Sequence, residues 1–255
     1  MTIAGPKPCC QSKLSFAHDV NLGFPTNNPR WQEFFAAHNC TPVAYADLAR
    51  LTQDLKTAKL TAAFLPAAND YFLREAATYH GIATALSGKS GAATASSLLV
   101  VPRALPVTDI SQLQGKRLGR INGYCTTSYF AAAILLQRHG YSIKNFFSEI
   151  LNVGAWQKQI DAVIAGIVDA TMVDEDTWLA QPGNAVLTRV LDRVDQLPGP
   201  IVIARSDAPE LFLVGLKTQL LSEPRNPDAL FSGFVDYEEA TDRQFVSDAA
   251  LAFAA

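Results

Sequence analysis

The chain has few of the residues that staple, ligate or strongly charge a protein. Among 255 residues there are four cysteines, four histidines and two methionines, and charged residues make up only 18%. Cys9, Cys10, Cys40 and Cys125 form no CxxC pair, and no Cys/His spacing suits zinc, so neither a structural metal nor a cofactor is expected. Lys plus Arg is 21 against 24 Asp plus Glu, a net charge of −3, which leaves no basic footprint for a nucleic acid. No apolar run approaches the roughly 18 residues of a membrane span. The opening stretch, Met1 to Cys10, lacks the basic region and apolar core of a signal peptide. The expectation is a cytoplasmic protein if Met1 is the native start, and a periplasmic one if a leader preceded the mature chain. No fixed-period repeat and no low-complexity tract is visible.

What is present is apolar residues: 49% of the chain. That is enough for a large core, excludes disorder, and at roughly 100–200 residues per domain points to one large or two small domains. Strand and helix patterns alternate from the start. Lys13 to His18 reads as a strand, Arg30 to His38 as a helix with Trp31, Phe34 and Phe35 on one side, and Thr41 to Tyr45 as a strand. A helix follows Asp47 with Leu48, Leu51 and Leu55 at helical spacing, then a buried strand at Leu60 to Leu65. Asn69 or Asp70 is expected to cap a helix that ends at Gly81. Further strands are expected at Ser96 to Val101, Arg117 to Ile121, Phe147 to Val153, Val168 to Val173 and Ile201 to Ala204, and a short segment at Arg189 to Leu191. Helices are expected at Thr108 to Gly115, Tyr129 to Arg138, Trp156 to Ala165, Pro209 to Leu221 and in the last twenty residues. The fold class is therefore α/β.

Breaks around Ser97 to Pro102 and Leu197 to Ala204 bracket a central block with its own β-α alternation. The expectation is a two-lobed, hinged molecule with mixed sheets flanked by helices. One lobe would be residues 12–98 with 201–255, the other the inserted block 99–200, with a ligand cleft between them.

The segment Gly123-Tyr-Cys-Thr-Thr-Ser-Tyr129 lies between a strand and a helix. Its hydroxyls could simply cap the helix. Alternatively, the free N–H groups of the first turn, reinforced by the helix dipole, form a cradle for an anion. Cys125 invites a nucleophile reading, because a helix N-terminus lowers a thiol pKa. Its base would have to come from afar, since His139 lies near the other end of the same helix, roughly 20 Å away at 1.5 Å per residue. Asp174-Glu-Asp-Thr-Trp178 reads as a solvated helix start or as a source of one cleft carboxylate. Trp156 is a core residue or a ligand platform. Thr94, Ser96 and Ser97 mark the crossing strand, and His18 and Asn21 end the first strand, where a cleft residue belongs.

Leu113-Gln-Gly-Lys-Arg-Leu-Gly119, the anion loop, Gly166-Ile-Val-Asp-Ala170, Leu197-Pro-Gly-Pro-Ile-Val202 and Gly233-Phe-Val235 follow one another in an order and separation that resemble a known family. It is the phosphate/phosphite/phosphonate-type substrate-binding proteins of ABC importers, within the type 2 periplasmic-binding fold. The resemblance runs from about Leu14 to Asp248. It implies that Cys125, Thr126, Thr127 and Ser128 line the ligand site, where the family loop reads Ser-Thr-Ser-Gly-Tyr. It puts Trp156 where the family often has a histidine. Asp176 falls at an acidic position that meets a ligand amino group, Thr94 near a family tyrosine, and Pro200 at an acidic position of some members. A family Asp-Tyr becomes Asp47-Leu48. The implied partners are a small anionic ligand and an ABC permease, for a chain expected to be monomeric. The runner-up readings are a sensor of an oxyanion such as arsenite, contacted through Cys125 and coupled to a signalling kinase, and a Cys-dependent α/β enzyme.

Overall fold

The computed structural model describes residues 13–74 and 78–254. Cys9 and Cys10 lie outside the described residues. The chain begins with β1 (Leu14–Asp19), α1 (Pro29–Ala37), β2 (Cys40–Tyr45), α2 (Leu48–Lys56), β3 (Ala62–Leu65), the short α3 (Ala68–Leu73) and β4 (Tyr79–Ser87). It then passes to β5 (Thr94–Pro102), β6 (Arg117–Arg120), α4 (Ala131–Arg138), α5 (Ile143–Phe146), β7 (Glu149–Asn152), α6 (Gln157–Ile164), β8 (Ala170–Asp174), α7 (Glu175–Leu179), α8 (Pro182–Leu187) and β9 (Thr188–Pro198). It returns through β10 (Ile201–Arg205), α9 (Glu210–Leu221) and β11 (Phe231–Asp236), and ends on α10 (Glu239–Ala254).

The strands form two mixed sheets, ordered β11-β4-β10-β3-β1-β2 and β7-β6-β8-β5-β9. In the first, β1 pairs in parallel with β2 and β3, while β10 and β11 run antiparallel to their neighbours. The local chemistry explains the early helices. Asn28 accepts from the Arg30 N–H at 3.0 Å with Pro29 at the first helical position, and Asp47 accepts from the N–H groups of Ala49 and Arg50. Their apolar faces, Trp31/Phe34/Phe35 and Leu48/Leu51/Leu55, are buried on opposite sides of the first sheet. The second sheet is covered by α4, whose Ala131 to Leu136 are all buried.

The helix expected from Asn69 to Gly81 is a correction. α3 stops at Leu73, and Gly81 lies inside β4, a strand flanked by β10 and β11 with Ile82 to Leu86 buried. Such a doubly buried strand has no period-2 alternation to announce it. Gly81 is there because the Tyr237 ring covers it: a Cβ would lie 2.3 Å from that ring. The short segment at Arg189 is likewise part of an eleven-residue strand, β9. Its edge position tolerates Arg189, Asp192, Arg193 and Asp195, and two register shifts against β5 break its pattern.

The chain crosses between the sheets after β4, after β9 and after β11. The first two crossings are tied to each other: the Gly199 N–H donates to Ala93 O at 2.8 Å and the Ala85 N–H to Pro200 O at 2.8 Å. Gly199 admits no side chain, because a Cβ would lie 2.7 Å from Ala85 O and 2.9 Å from Ala93 O. After the third crossing α10 buries Phe245, Ala249 and Ala252 in the same cluster as α4.

Candidate ligand site in the interlobe cleft

A cleft of about 770 Å³ opens between the sheets, within the usual range for a small-molecule site. Its floor is the segment the sequence singled out. Asn122 accepts from the Tyr124 N–H at 2.8 Å, which turns the chain after β6. Thr126–Phe130 then form a single π-helical turn, closed by the Phe130 N–H to Cys125 O bond at 3.2 Å, that runs into α4. No side chain caps this turn. The Thr126 hydroxyl instead accepts from the Ala68 N–H of α3, across the cleft, at 3.1 Å. Simple capping by Thr126 or Thr127 is therefore not what these residues do. The N–H groups of Thr127 and Ser128 face the Cys125 sulfur, with the Thr127 hydroxyl 3.8 Å from it.

The turn is held from behind by buried side chains. Ser97 donates to Thr127 O at 2.5 Å. The Gln159 amide is within 2.8 Å of Met172 O, 2.9 Å of Thr171 Oγ1 and 3.1 Å of Ser128 Oγ. Ser128 Oγ also accepts from the Ile121 N–H at 3.1 Å. The Ser128 side chain, expected to line the ligand site, is corrected to support: it is buried and engaged behind the turn and does not line the cleft, so only its backbone N–H faces the ligand side. His18 is corrected too. It lies in the aromatic cluster with Phe24, its ring 6.3 Å from that of Phe24, and Leu22 lines the cleft in its place. Burial pushes the His18 pKa down. Asn21 serves Asp19, donating through its N–H and its side-chain amide.

Cys125, Thr126, Thr127, Thr94, Ser96, Trp156, Asp176 and Pro200 all reach the cleft. Trp156 does so from a left-handed backbone, φ +57°, at the N-terminus of α6, a conformation costly for a bulky residue. Asp174 is tied to Thr177 through its N–H and hydroxyl at 2.8 and 2.7 Å, and burial pushes its carboxyl up. Asp176 accepts from Ser87 Oγ at 2.7 Å, and Lys89 Nζ donates to Asp176 O at 3.1 Å, so this edge of the cleft is bridged by the two lobes. The lining carries four carboxylates, Asp174, Glu175, Asp176 and Asp228, against one cation, Lys89. Ser87, Lys89, Gln159 and Asp228 were not found from sequence. The turn Ser87-Gly-Lys-Ser-Gly91 was the available signal, and it had no meaning until β4 was recognised as a strand ending there.

Cysteine chemistry finds no support. The Cys125 thiol is pushed up to about 11, chiefly by burial, and His139 bonds Asp192 at 2.9 Å instead. At pH ~8 iodoacetamide is expected to label Cys125 at least about tenfold more slowly in the folded than in the unfolded protein. Equal rates, followed by mass spectrometry, would show that the thiol is activated after all.

The fold and the cleft define a two-lobed α/β substrate-binding protein. The sequence model of the phosphonate ABC transporter periplasmic substrate-binding proteins matches residues 39–245. The chain belongs to that family. No curated protein matches it. Among solved structures it is similar to a Xanthomonas citri protein bound to ATP, at 15% identity and a TM-score of 0.76 over 94% of this chain and 96% of that one. It is also similar to PhnD1 of Prochlorococcus marinus in complex with methylphosphonate, at 14% identity and a TM-score of 0.69 over 93% and 97%. The aliphatic sulphonate binding protein SsuA of Escherichia coli is more distant, at 12% identity and a TM-score of 0.57 over 94% and 74%. Substrate-binding proteins of this family bind small anions, work with ABC permeases and are periplasmic. Among the described residues no helix is long and apolar enough to cross a membrane.

Proposed function

We propose that this chain is a non-enzymatic solute-binding protein that holds a phosphonate-type oxyanion on the π-helical turn and presents it to an ABC permease. The observation that carries the reading is the uncapped first turn at Thr127 and Ser128, with its N–H groups free of any side-chain acceptor but the Cys125 sulfur. A protonated thiol is a weak acceptor, and a doubly charged oxyanion displaces it readily. Cys125, Thr126, Thr127, Thr94, Trp156 and Asp176 form the ligand's surroundings. The anionic head sits on the turn, and the acidic edge at Asp174 and Asp176 faces the other end of the ligand. Four carboxylates around that edge repel a second anionic group and favour an ammonium or hydroxyl substituent, with Trp156 as an apolar wall. The same carboxylates disfavour a polyanion such as ATP. A single thiol whose pKa is raised by burial disfavours a thiophilic oxyanion.

Ligand binding closes the hinge at the paired crossings. The expected lobes, 12–98 with 201–255 and 99–200, then shift at one end: α10 moves with the inserted lobe, on which it packs. Thermal-shift and calorimetric screening against phosphate, phosphite, methylphosphonate, 2-aminoethylphosphonate, sulfate, alkylsulfonates, arsenite and ATP tests the reading. The expected result is micromolar or tighter binding of a phosphonate with a donor-bearing tail, which needs only about 8 kcal/mol net. Stabilisation by ATP alone, or by no anion at all, overturns it.

A further inference from the structure

Trp156 holds φ +57° and ψ −124°, a conformation that few residues other than glycine adopt and that is most costly for a bulky side chain. Nothing in the fold accounts for that cost. Among the described residues the indole meets no other ring, its Nε1–H has no acceptor, and it packs on none of the apolar clusters. The other two tryptophans differ. Trp31 is fully buried among Phe16, Phe24, Phe34 and Phe35, and Trp178 donates to Thr188 Oγ1 at 3.0 Å. The half-buried indole of Trp156 lines the cleft instead.

Its neighbours there are acidic. Gln157, the first residue of α6, donates to Asn184 Oδ1 at 2.9 Å, and the Asn184 amide donates to Trp178 O of α7 at 3.0 Å. This ties the start of α6 to α7, which opens with Asp174, Glu175 and Asp176 on the cleft. These carboxylates supply charge but little free acceptor capacity. Thr177 takes both oxygens of Asp174, those of Glu175 lie 3.4 Å from Arg193, and Oδ2 of Asp176 accepts from Ser87 at 2.7 Å. Of the three, only Asp176 keeps an oxygen, Oδ1, that no described residue serves. A primary ammonium brings three donors to such a place and gives up water at each. An N-alkylated ammonium brings fewer, and its alkyl groups carry the charge on an apolar surface of the kind an indole face attracts.

We propose that Trp156 is a specificity-determining residue that selects phosphonates ending in an N-alkylated ammonium, with the alkyl groups on the indole and a remaining N–H on Asp176. This rests on the phosphonate reading above and concerns the opposite end of the same ligand. The oxyanion stays on the π-helical turn. The left-handed backbone is kept because it turns the ring into the cleft, and α6 is held in place by its buried Gln159, Ile160, Ala162 and Val163.

Calorimetry with 2-aminoethylphosphonate and its N-methyl and N,N-dimethyl derivatives tests the selection. The wild type is expected to bind the N,N-dimethyl compound about tenfold more tightly than the primary amine. Trp156→Phe keeps a ring and is expected to keep most of that preference. Trp156→Leu keeps apolar bulk without a π face and is expected to bind all three compounds within about twofold of one another. A wild-type preference below about threefold, or one that survives intact in Trp156→Leu, overturns the proposal and leaves the oxyanion site standing. Binding of none of the three overturns both readings together. A ligand-free measurement stands apart from either outcome. Trp156→Gly relieves the backbone, so its melting temperature is expected to rise, or to fall by no more than about 3 °C. A larger fall shows that the indole packs the fold, and by itself overturns the proposal.

Discussion

Thr127→Glu is expected to weaken phosphonate binding by at least about 100-fold while leaving the melting temperature unchanged or raised. Thr127 sits in the first turn of the π-helical segment, beside the N–H groups that face the cleft. A carboxylate there satisfies the positive end of the helix from within, which stabilises the fold by about 0.3–1 kcal/mol. The same carboxylate fills the place of the ligand's head group and repels it. Losing two charge-assisted hydrogen bonds at roughly 1.5–3 kcal/mol each removes about 3–6 kcal/mol, or two to four powers of ten in affinity. Thr127→Gln is the control, since it matches the size without the charge and is expected to lose about tenfold. Calorimetry with the best phosphonate from the screen and scanning calorimetry of the free protein measure both effects. If the two variants lose affinity equally, bulk and not charge is responsible, and the anion cradle is the wrong description.

Gln159→Leu is expected to destabilise the protein by about 3 kcal/mol, lowering the melting temperature by roughly 6–12 °C for a chain of this size. Gln159 is 1% exposed, and its amide serves Met172 O, Thr171 Oγ1 and Ser128 Oγ together. Leucine keeps the volume but leaves three buried acceptors without that donor. Thr171 retains its own bond to Gly119 O at 2.9 Å, so the damage falls mainly on Met172 O and on Ser128, whose oxygen holds the Ile121 N–H. The turn carrying Thr127 is thereby loosened, and ligand affinity is expected to fall with stability. A thermal unfolding curve within about 2 °C of wild type would mean that water replaces the amide and that the network does not support the site.

The site was legible in part. The polar loop that reaches the cleft could be read because small polar residues between an apolar strand and an amphipathic helix have few other uses. Thr94 on the crossing strand, Trp156, and Asp176 in the acidic run came from the residues as well as from motif order, and all three reach the cleft. Gln159 could not be read. A glutamine in an amphipathic helix looks like a surface residue, and only the burial of α6 against β8 turns its amide inward. His18 and Ser128 were misplaced for a related reason. Strand and helix periodicity gives the face on which a residue lies, but two neighbouring faces here belong to the core and to the cleft. β4 was missed because a strand buried on both sides has no alternation, and β9 because an edge strand with bulges has too much polar character.

By itself the sequence determined that the protein is α/β, that its middle third carries its own strand–helix alternation, and that one helix starts on a polar loop. These follow from local terms: apolar periodicity, caps, glycine and proline positions. The tertiary structure decided how the Thr126 hydroxyl is used, which carboxylates edge the cleft, and what the buried Gln159 amide serves. Those pairings join residues 58, 89 and 31 positions apart in sequence, in Ala68–Thr126, Ser87–Asp176 and Ser128–Gln159. No local preference encodes them. They arise because two sheets, each with its own core, are brought together across a narrow cleft by three chain crossings.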